Sequence, residues 1–267
     1  MKPRPLVSPD GRAIARVVVT RNGDRGIDAI VVRNRITGAT RTIYRLRQSY
    51  SGIPAGAPGP IVLFRWSGDG RWLFFAIDPM GSASIAADGL MLQVVSASGG
   101  RPHRLGLRLA YADYMTWCSG RLVFTGGGNR LATTNKRLLV AAPPAWRTRR
   151  LVTTPERAWG SVACAPNGRS VVAQSQPQVE NYDFFATRWQ LWRVQLDGTR
   201  RRLTVPPPGY ADESPRFSRD GRSVFFVRSH AGRGSLYGLR GRGLSGPLVR
   251  LGYSLGYYGH RCWWLDG

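Results

Sequence analysis

The sequence predicts an all-β fold, and within that class a β-propeller of five four-stranded blades. A turn motif related to Ser-Pro-Asp-Gly-Arg recurs along the whole chain of 267 residues. Its glycines are separated by intervals that run from 46 residues (267 − 221) to 59 residues (70 − 11). No segment keeps a helical period over about twelve residues, and 33 Gly and 18 Pro interrupt the chain. A repeat near fifty residues in a β-rich sequence is typical of a radially repeated sheet. The marker glycines are Gly11, Gly70, Gly120, Gly168, Gly221 and Gly267.

The repeat that begins at Tyr210 shows one blade most clearly. Tyr210–Ser218 predicts a short first strand, followed by a tight turn at Arg219–Gly221, because Asp-Gly between apolar runs is a strong hairpin signal. Ser223–Arg228 is an almost continuous apolar run, which indicates a strand buried on both faces. Ser235–Arg240 predicts the third strand and Pro247–Leu251 the fourth. Together these segments form one antiparallel meander.

The other repeats match this pattern strand for strand. The predicted second strands are Ala13–Thr20, Trp72–Ile77, Leu122–Thr125 and Ser170–Gln174. The predicted third strands are Ala29–Asn34, Leu90–Ser96, Lys136–Ala141 and Gln190–Leu196. The predicted fourth strands, which mix basic and apolar residues, are Arg41–Leu46, Arg101–Leu107, Arg147–Val152 and Arg200–Thr204.

The phase of the repeat predicts how the ring closes. The chain starts at the end of one first strand and stops at the end of another, so the six turn motifs enclose five blades in a single domain, residues 1–267. Blade 1 then takes its second to fourth strands from the N-terminal side, and its innermost strand comes from Tyr257–Trp264. Such an interlock removes exposed strand edges where the ring ends meet. The alternative is a six-bladed propeller truncated by about one blade.

The turns resemble the WD-like repeats of the TolB family. The resemblance is carried by Ser8–Ala15 and by Arg201–Thr204 followed by Glu213–Val227, and it covers the whole chain at varying quality. The third copy of the motif lacks its Asp, and the fourth has Asn167 in that place. The resemblance implies a propeller of the kind that docks partners in bacterial envelope proteins, or that gates the prolyl oligopeptidases. The chain contains no Gly-x-Ser-x-Gly nucleophile motif of the peptidase half.

The net charge of +24 favours contact with anions. Lys2 and Lys136 are the only lysines, so arginine supplies 37 (39 − 2) of the basic side chains. An anionic polymer or a membrane surface is therefore a possible partner. The arginines are spread over all repeats, and the densest run, Arg200–Arg202, has no ladder of aromatic residues beside it. Specific nucleic-acid binding is not favoured.

Three cysteines occupy similar places in different repeats. Cys118, Cys164 and Cys262 lie near the ends of equivalent strands, with no spacing suited to zinc. A disulfide between Cys118 and Cys164 is conceivable if their Cα atoms come within about 7 Å of each other. We favour buried thiols over that disulfide.

Six residues are candidate contacts for a partner or for the central channel. Asp212 and Glu213 are the one tight acidic pair, at the start of an innermost strand; they either bind a cation or a basic group, or are simply solvated. His260 lies on the predicted closing strand. Tyr182, Phe184 and Phe185 lie on a long insertion, Gln176–Thr187, of the kind that propellers use for recognition.

These observations predict a non-enzymatic, monomeric scaffold that binds a protein or polymer through blade loops and the channel mouth. No catalytic residue, cofactor or metal ligand is predicted. The first alternative is a small-molecule lyase or hydrolase that works in the channel through His260, Asp212 and Glu213. The second is electrostatic attachment to an anionic surface. We expect an extracytoplasmic location if the native start lies upstream of Met1, and a cytoplasmic one otherwise.

Overall fold

The residues that the structure describes form five antiparallel sheets of four strands each. The computed structural model describes residues 5–52, 60–78, 88–109, 111–180, 188–231 and 233–254, with side chains up to residue 249. Within every sheet, strands that follow one another in sequence are neighbours. The predicted β-propeller with five four-stranded blades is thereby confirmed. The chain divides into two compact units, and the single domain 1–267 stays a prediction.

Unit 1 comprises Met1–Arg108 together with Pro143–Arg147. It contains the first two blades. The strands of blade 1 are β1 (Leu6–Val7), β2 (Ala13–Asn22), β3 (Arg25–Asn34) and β4 (Thr40–Ser49). The strands of blade 2 are β5 (Ile61–Trp66), β6 (Trp72–Ile77), β7 (Leu90–Ser96) and β8 (His103–Arg108).

Unit 2 comprises Leu109–Ala142 and Thr148–Gly267. A 3-10 turn at Ala112–Tyr114 leads into blade 3. Blade 3 consists of β9 (Met115–Cys118), β10 (Arg121–Gly126), β11 (Arg137–Ala141) and β12 (Arg149–Arg150). Blade 4 consists of β13 (Arg157–Cys164), β14 (Ser170–Pro177), β15 (Gln190–Gln195) and β16 (Arg200–Arg202). Blade 5 consists of β17 (Tyr210–Phe217), β18 (Ser223–His230), β19 (Arg233–Arg240) and β20 (Gly243–Ser254).

The recurring turn is held by its own side chains. In blade 1 the Ser8 hydroxyl donates to Asp10 and accepts the backbone N–H of Ala13, at 2.6 and 2.8 Å. Asp10 also accepts the N–H of Arg12 at 3.0 Å. Gly11 has φ +71°, a conformation that glycine adopts without strain. The same contacts recur in blades 2 and 5, at Ser67, Asp69 and Gly70, and at Ser218, Asp220 and Gly221.

The two blades of unit 1 share one apolar cluster. Ile30 of β3 and Phe75 of β6 are fully buried in it, and the ring of Tyr44 lies 4.9 Å from that of Phe75. The indole Nε1 of Trp66 donates to the Leu6 carbonyl at 3.0 Å, which joins β5 to β1. Aromatic and β-branched side chains on facing sheets therefore hold these blades together.

An aromatic residue from the connection between β11 and β12 completes the core of unit 1. Trp146 is only 2% exposed. Its ring packs edge-on against Trp72 and Phe74 of β6, at centroid distances of 5.1 and 5.7 Å. This packing explains why Pro143–Arg147 belongs to unit 1, although the strands on both sides of that segment belong to blade 3.

Blade 4 packs on both of its faces within unit 2. Val171 and Ala173 of β14 lie in a buried cluster with Val140 of blade 3. Val172, between them in sequence, lies in a second cluster with Phe226 of blade 5. Because successive strand residues point to opposite faces, one apolar strand supplies both interfaces. The uninterrupted apolar strands seen in the sequence follow from this arrangement.

The first blade has its own innermost strand. Leu6–Val7 pairs with β2, in the position where the sequence analysis puts Tyr257–Trp264. The C-terminal segment itself lies outside the described residues. Within the described ranges, no helix has the length and hydropathy needed to cross a membrane.

Cys118 and Cys164 form a disulfide, with Cα atoms 5.4 Å apart. The preference for buried thiols was wrong for these two residues, and Cys262 lies outside the described residues. Each of the two is the last residue of an innermost strand, β9 or β13. Equivalent strand positions of consecutive blades lie side by side. A cysteine at the same position in two successive repeats therefore lies next to its counterpart.

We predict that this disulfide stabilises the fold strongly. It closes a loop with a sequence separation of 46 residues, for which chain entropy alone gives about 4 kcal/mol. Urea unfolding should show a correspondingly lower stability for Cys118→Ser/Cys164→Ser, with Cys262→Ser as the control that keeps the pair. Thiol titration of the oxidised, denatured protein should find one thiol; three thiols would contradict the assignment.

Candidate functional site

Two bulges shape the innermost strands of blades 4 and 5. The pairing register shifts between Trp159 and Val162 in β13, and between Glu213 and Arg216 in β17. Ser214, within the second bulge, has φ +52°. A bulge interrupts the ladder and leaves backbone groups without their usual strand partners. Polar side chains lie on and beside these bulges, and Gln174 takes over part of the missing pairing. We call them the inner-strand cluster: Asp113, Ser161, Gln174, Asp212, Glu213, Ser214 and Arg228.

Gln174 of β14 connects the two bulges. Its side chain is fully buried, and its Oε1 accepts the backbone N–H of Ser214 at 3.1 Å. The first bulge contains Gly160, where a Cβ would lie 2.4 Å from Gln174 Nε2. Glycine is therefore required there for Gln174 to fit. The hydroxyl of Thr125 donates to the Gly160 carbonyl at 2.6 Å.

Asp113 extends the cluster into blade 3. It lies just before β9 and is 3% exposed, and its carboxylate accepts a hydrogen bond from the fully buried Ser161 hydroxyl. A buried carboxylate needs such donors, because its desolvation would otherwise be costly. The polar contacts thus continue across all three blades of unit 2.

Asp212 is held in a buried ion pair. Both of its oxygens accept from Arg228, from Nε at 2.7 Å and from Nη2 at 2.9 Å. The two side chains are 0% and 9% exposed. The guanidinium lies 5.0 Å from the Tyr237 ring and 5.7 Å from that of Phe226. The hydrogen bond to Asp212 raises the pKa of Arg228.

The structure buries the acidic pair Asp212 and Glu213, whereas one interpretation of the sequence left the pair exposed to solvent. Asp212 is fully buried and Glu213 is 6% exposed, on adjacent positions of β17. Strand geometry directs adjacent side chains to opposite faces of the sheet. Whether either residue contacts a partner stays a prediction. The remaining candidates, Tyr182, Phe184, Phe185 and His260, lie outside the described residues.

The connection between β10 and β11 is organised by a buried lysine that the sequence analysis did not single out. Lys136 is fully buried, and its ammonium lies 2.8 to 3.0 Å from the carbonyl oxygens of Gly128, Asn129, Leu131 and Thr134. Burial lowers the pKa of Lys136 to about 8. A compact ammonium with rotatable donors suits such a cage, whereas the planar arginine fork does not. The available signal was that Lys136 is one of only two lysines beside 37 arginines.

This connection anchors the start of the predicted recognition loop. The hydroxyls of Thr133 and Thr134 both donate to the carbonyl of Val179, at 2.7 and 2.9 Å. The two ends of the loop are also joined, because Gln176 Oε1 accepts the backbone N–H of Arg188 at 2.8 Å. The first and last parts of the insertion are therefore held by hydrogen bonds between residues that the structure describes.

Another buried carboxylate, which sequence reasoning also missed, lies in unit 1. Asp28 of β3 is fully buried and accepts hydrogen bonds from the Tyr50 hydroxyl, at 2.5 Å, and from Gln48. Burial raises the pKa of Asp28. Arg21 lies 3.9 Å above the Tyr50 ring. The available signal was an acid between two apolar residues, Ile27 and Ala29, next to the predicted third strand Ala29–Asn34.

The inner-strand cluster has the geometry of a structural network. Its carboxylates Asp113 and Asp212 accept hydrogen bonds from neighbouring side chains, which orients them. Among the described residues, no group of three or more His, Cys, Asp or Glu side chains could hold a metal ion. What the cluster does is position the innermost strands and the loops that leave them.

Solved propeller structures share this fold at low sequence identity. TolB from Acinetobacter baumannii is 16% identical, with a TM-score of 0.50 over 94% of this chain and 54% of that one. An oligogalacturonate lyase in complex with manganese is 14% identical, with a TM-score of 0.55 over 92% of this chain and 64% of that one. Prolyl oligopeptidase B from Galerina marginata is 12% identical, with a TM-score of 0.57 over 94% of this chain and 34% of that one.

No family model and no curated protein matches the sequence. The chain spans about half the length of the TolB structure and about a third of the peptidase. Because the shared structures include TolB, a lyase and a peptidase, the likeness establishes a fold and not an activity. The chain has a TolB-like β-propeller fold.

We predict that breaking the Asp212 pair destabilises the protein. Arg228→Met leaves a buried carboxylate without its partner, a change that typically costs roughly 3–5 kcal/mol. The matched control is Arg222→Met, which removes an exposed pair with Asp220 (side chains 72% and 58% exposed), where about 0–1 kcal/mol is expected. Urea unfolding compares the two; equal losses would contradict a structural role for the buried pair.

Proposed function

We propose that this chain is a non-enzymatic propeller scaffold that binds a protein or polymer partner through its blade loops and the channel mouth. The proposal treats residues 1–267 as one propeller domain that acts as a monomer. The observation that carries it is the anchored root of the insertion at Gln176–Thr187. Rigid support lets a loop present contact residues at little cost in conformational entropy.

The loop root favours recognition because it leaves apolar surface exposed. Val179 is 49% exposed although its backbone is fixed by Thr133 and Thr134. Tyr182, Phe184 and Phe185 follow in sequence and are the proposed contacts. Aromatic side chains are enriched at protein interfaces, where they provide a large contact area with few rotatable bonds.

The engaged state of Asp212 supports binding over channel catalysis. A general acid or base has to reach its substrate with a free oxygen or proton, and both Asp212 oxygens accept from Arg228. The alternative function is that of a lyase or hydrolase, and similar propellers include such enzymes. This chain would then have to use Glu213 or His260 in place of Asp212. Glu213 and His260 remain proposed contacts at the channel mouth.

The disulfide supports an extracytoplasmic location. Structural disulfides persist in oxidising compartments and are rare in the cytosol. A location in the periplasm or outside the cell also fits the bacterial envelope role that the TolB resemblance implies. The proposed partner is therefore a protein or polymer of that compartment.

Quantitative affinity capture tests this function. The immobilised oxidised protein is incubated with an envelope extract, and retained proteins and polysaccharides are quantified. Phe184→Ala/Phe185→Ala should lose most of the specific capture. The matched control, Ile36→Ala, removes an exposed apolar side chain (74% exposed) from a turn of blade 1 and should capture as much as the unchanged protein.

Two results would contradict the proposal. Undiminished capture by the double variant would show that Phe184 and Phe185 do not contact the partner. Turnover of an oligogalacturonate or a peptide substrate that Glu213→Gln abolishes, without loss of stability, would establish the enzyme instead.

A further inference from the structure

Five arginines gather on the outer part of blades 3 and 4. Arg137, Arg150 and Arg157 line one small cavity, together with Thr154. Arg202, on the outermost strand β16, pairs in register with Trp192, whose ring Arg157 covers, and Arg200 pairs with Val194 two residues further along β15. We call this group the arginine cleft. All five residues belong to unit 2.

Arg157 is the residue that makes the group unusual. It comes from the innermost strand β13, yet its guanidinium reaches across the sheet, where Nε donates to the Ser175 hydroxyl at 2.9 Å and Nη2 to the Ser175 carbonyl at 3.0 Å. It lies 4.8 Å from the centre of the Trp192 ring. Burial, and then the positive charges of Arg200 and Arg202, lower the pKa of Arg157. The fold thus holds like charges together.

Protection of the sheet edge explains only part of this arrangement. Charged side chains on edge strands prevent unwanted strand pairing, which is sufficient reason for the exposed arginines of β12 and β16. Edge protection does not explain why Arg157, a half-buried residue of the innermost strand, directs its guanidinium towards those exposed arginines. The acid in the nearby hairpin is already engaged, since Asp197 accepts from the backbone and the hydroxyl of Thr199 at 2.8 and 2.7 Å.

Uncharged donors lie in the cavity wall and beside Arg157 as well. Within the described part of the chain, the buried Thr154 hydroxyl and the buried Trp192 Nε1 have no hydrogen-bond partner. The cavity volume of about 20 Å³ is enough for one water-sized group. One oxygen of an oxyanion fits that space, with the rest of the group outside among the guanidinium groups.

We propose that the arginine cleft binds phosphate groups of a linear anionic polymer. Guanidinium groups match phosphate in charge and in bidentate geometry. Arg200 and Arg202 are two residues apart on one strand, a rise of roughly 6–7 Å, so they would meet successive charges along an extended chain. Gln178 of the insertion lines the same cavity, but the arginine contacts and the aromatic contacts are different residues with different tests, so either proposal can fail without the other.

The test measures binding of fluorescently labelled linear polyphosphate by anisotropy over a range of salt concentrations. Arg200→Ala/Arg202→Ala should weaken binding roughly tenfold or more at low salt, and should reduce the slope of log K against log salt by about 1.4. Arg41→Ala/Arg45→Ala, which removes two exposed arginines from the fourth strand of blade 1, is the control of equal charge and should change little. Equal losses in both variants would show a diffuse charge effect and overturn the site.

A neutral substitution separates the site from general attraction. Thr154→Val removes the cavity hydroxyl without changing charge, and we expect roughly threefold weaker binding, as the loss of one hydrogen bond implies. Thr153→Val alters the exposed neighbouring residue and should bind as the unchanged protein does. Identical affinity of the two variants would contradict the cavity as an oxyanion site.

Competition identifies the source of the phosphate. Inorganic phosphate should displace the polymer only at high concentration, because it replaces a single contact. Vesicles of phosphatidylglycerol and phosphatidylcholine in equal parts should not compete at matched phosphate concentration. Preferential binding to those vesicles would assign the cleft to a membrane surface and overturn the polymer proposal.

Discussion

The constraint on which the structure depends is that each sheet has to bury both of its faces. A four-stranded meander alone leaves apolar side chains exposed on two sides, so it is stable only between neighbours. Blade 4 shows how this is met: Val171 and Ala173 pack against blade 3 while Val172 packs against blade 5. A valine of this kind contributes about 1.5–3 kcal/mol when fully buried. The continuous apolar strands and the disulfide between strand ends both follow from this stacking.

The same stacking decides how charge is used. An interior strand has no solvent-exposed face, so a polar residue there needs a partner on a neighbouring strand. Asp212 has Arg228, Gln174 has the backbone of Ser214, and the Lys136 ammonium has a set of carbonyls. On the outer strands arginines stay exposed, as in β16, where Arg200 and Arg202 lie in solvent. The high positive charge is therefore divided between buried structural pairs and a surface available to anions.

The sequence predicts the fold closely because its signals are local and repeated. Ser8, Asp10 and Gly11 form their turn from neighbouring residues alone, so the copies of the motif could be recognised without tertiary information. The disulfide and the Asp212 pair could not, since residues 46 and 16 positions apart meet only after the strands and blades have assembled. The cavity beside Arg157 is even harder to predict from the sequence, because its walls come from two blades. Composition shows that arginines are numerous and leaves open which of them converge.

Amide hydrogen exchange followed by mass spectrometry tests the stacking directly. If each sheet depends on its neighbours, the central strands β10, β14 and β18 should exchange together, with one common free energy of opening. Disruption of one interface, as by Val172→Ala, should then raise exchange in all three strands by the same amount. Faster exchange confined to β14 and β18, with β10 unchanged, would show that the blades open independently and would contradict the account.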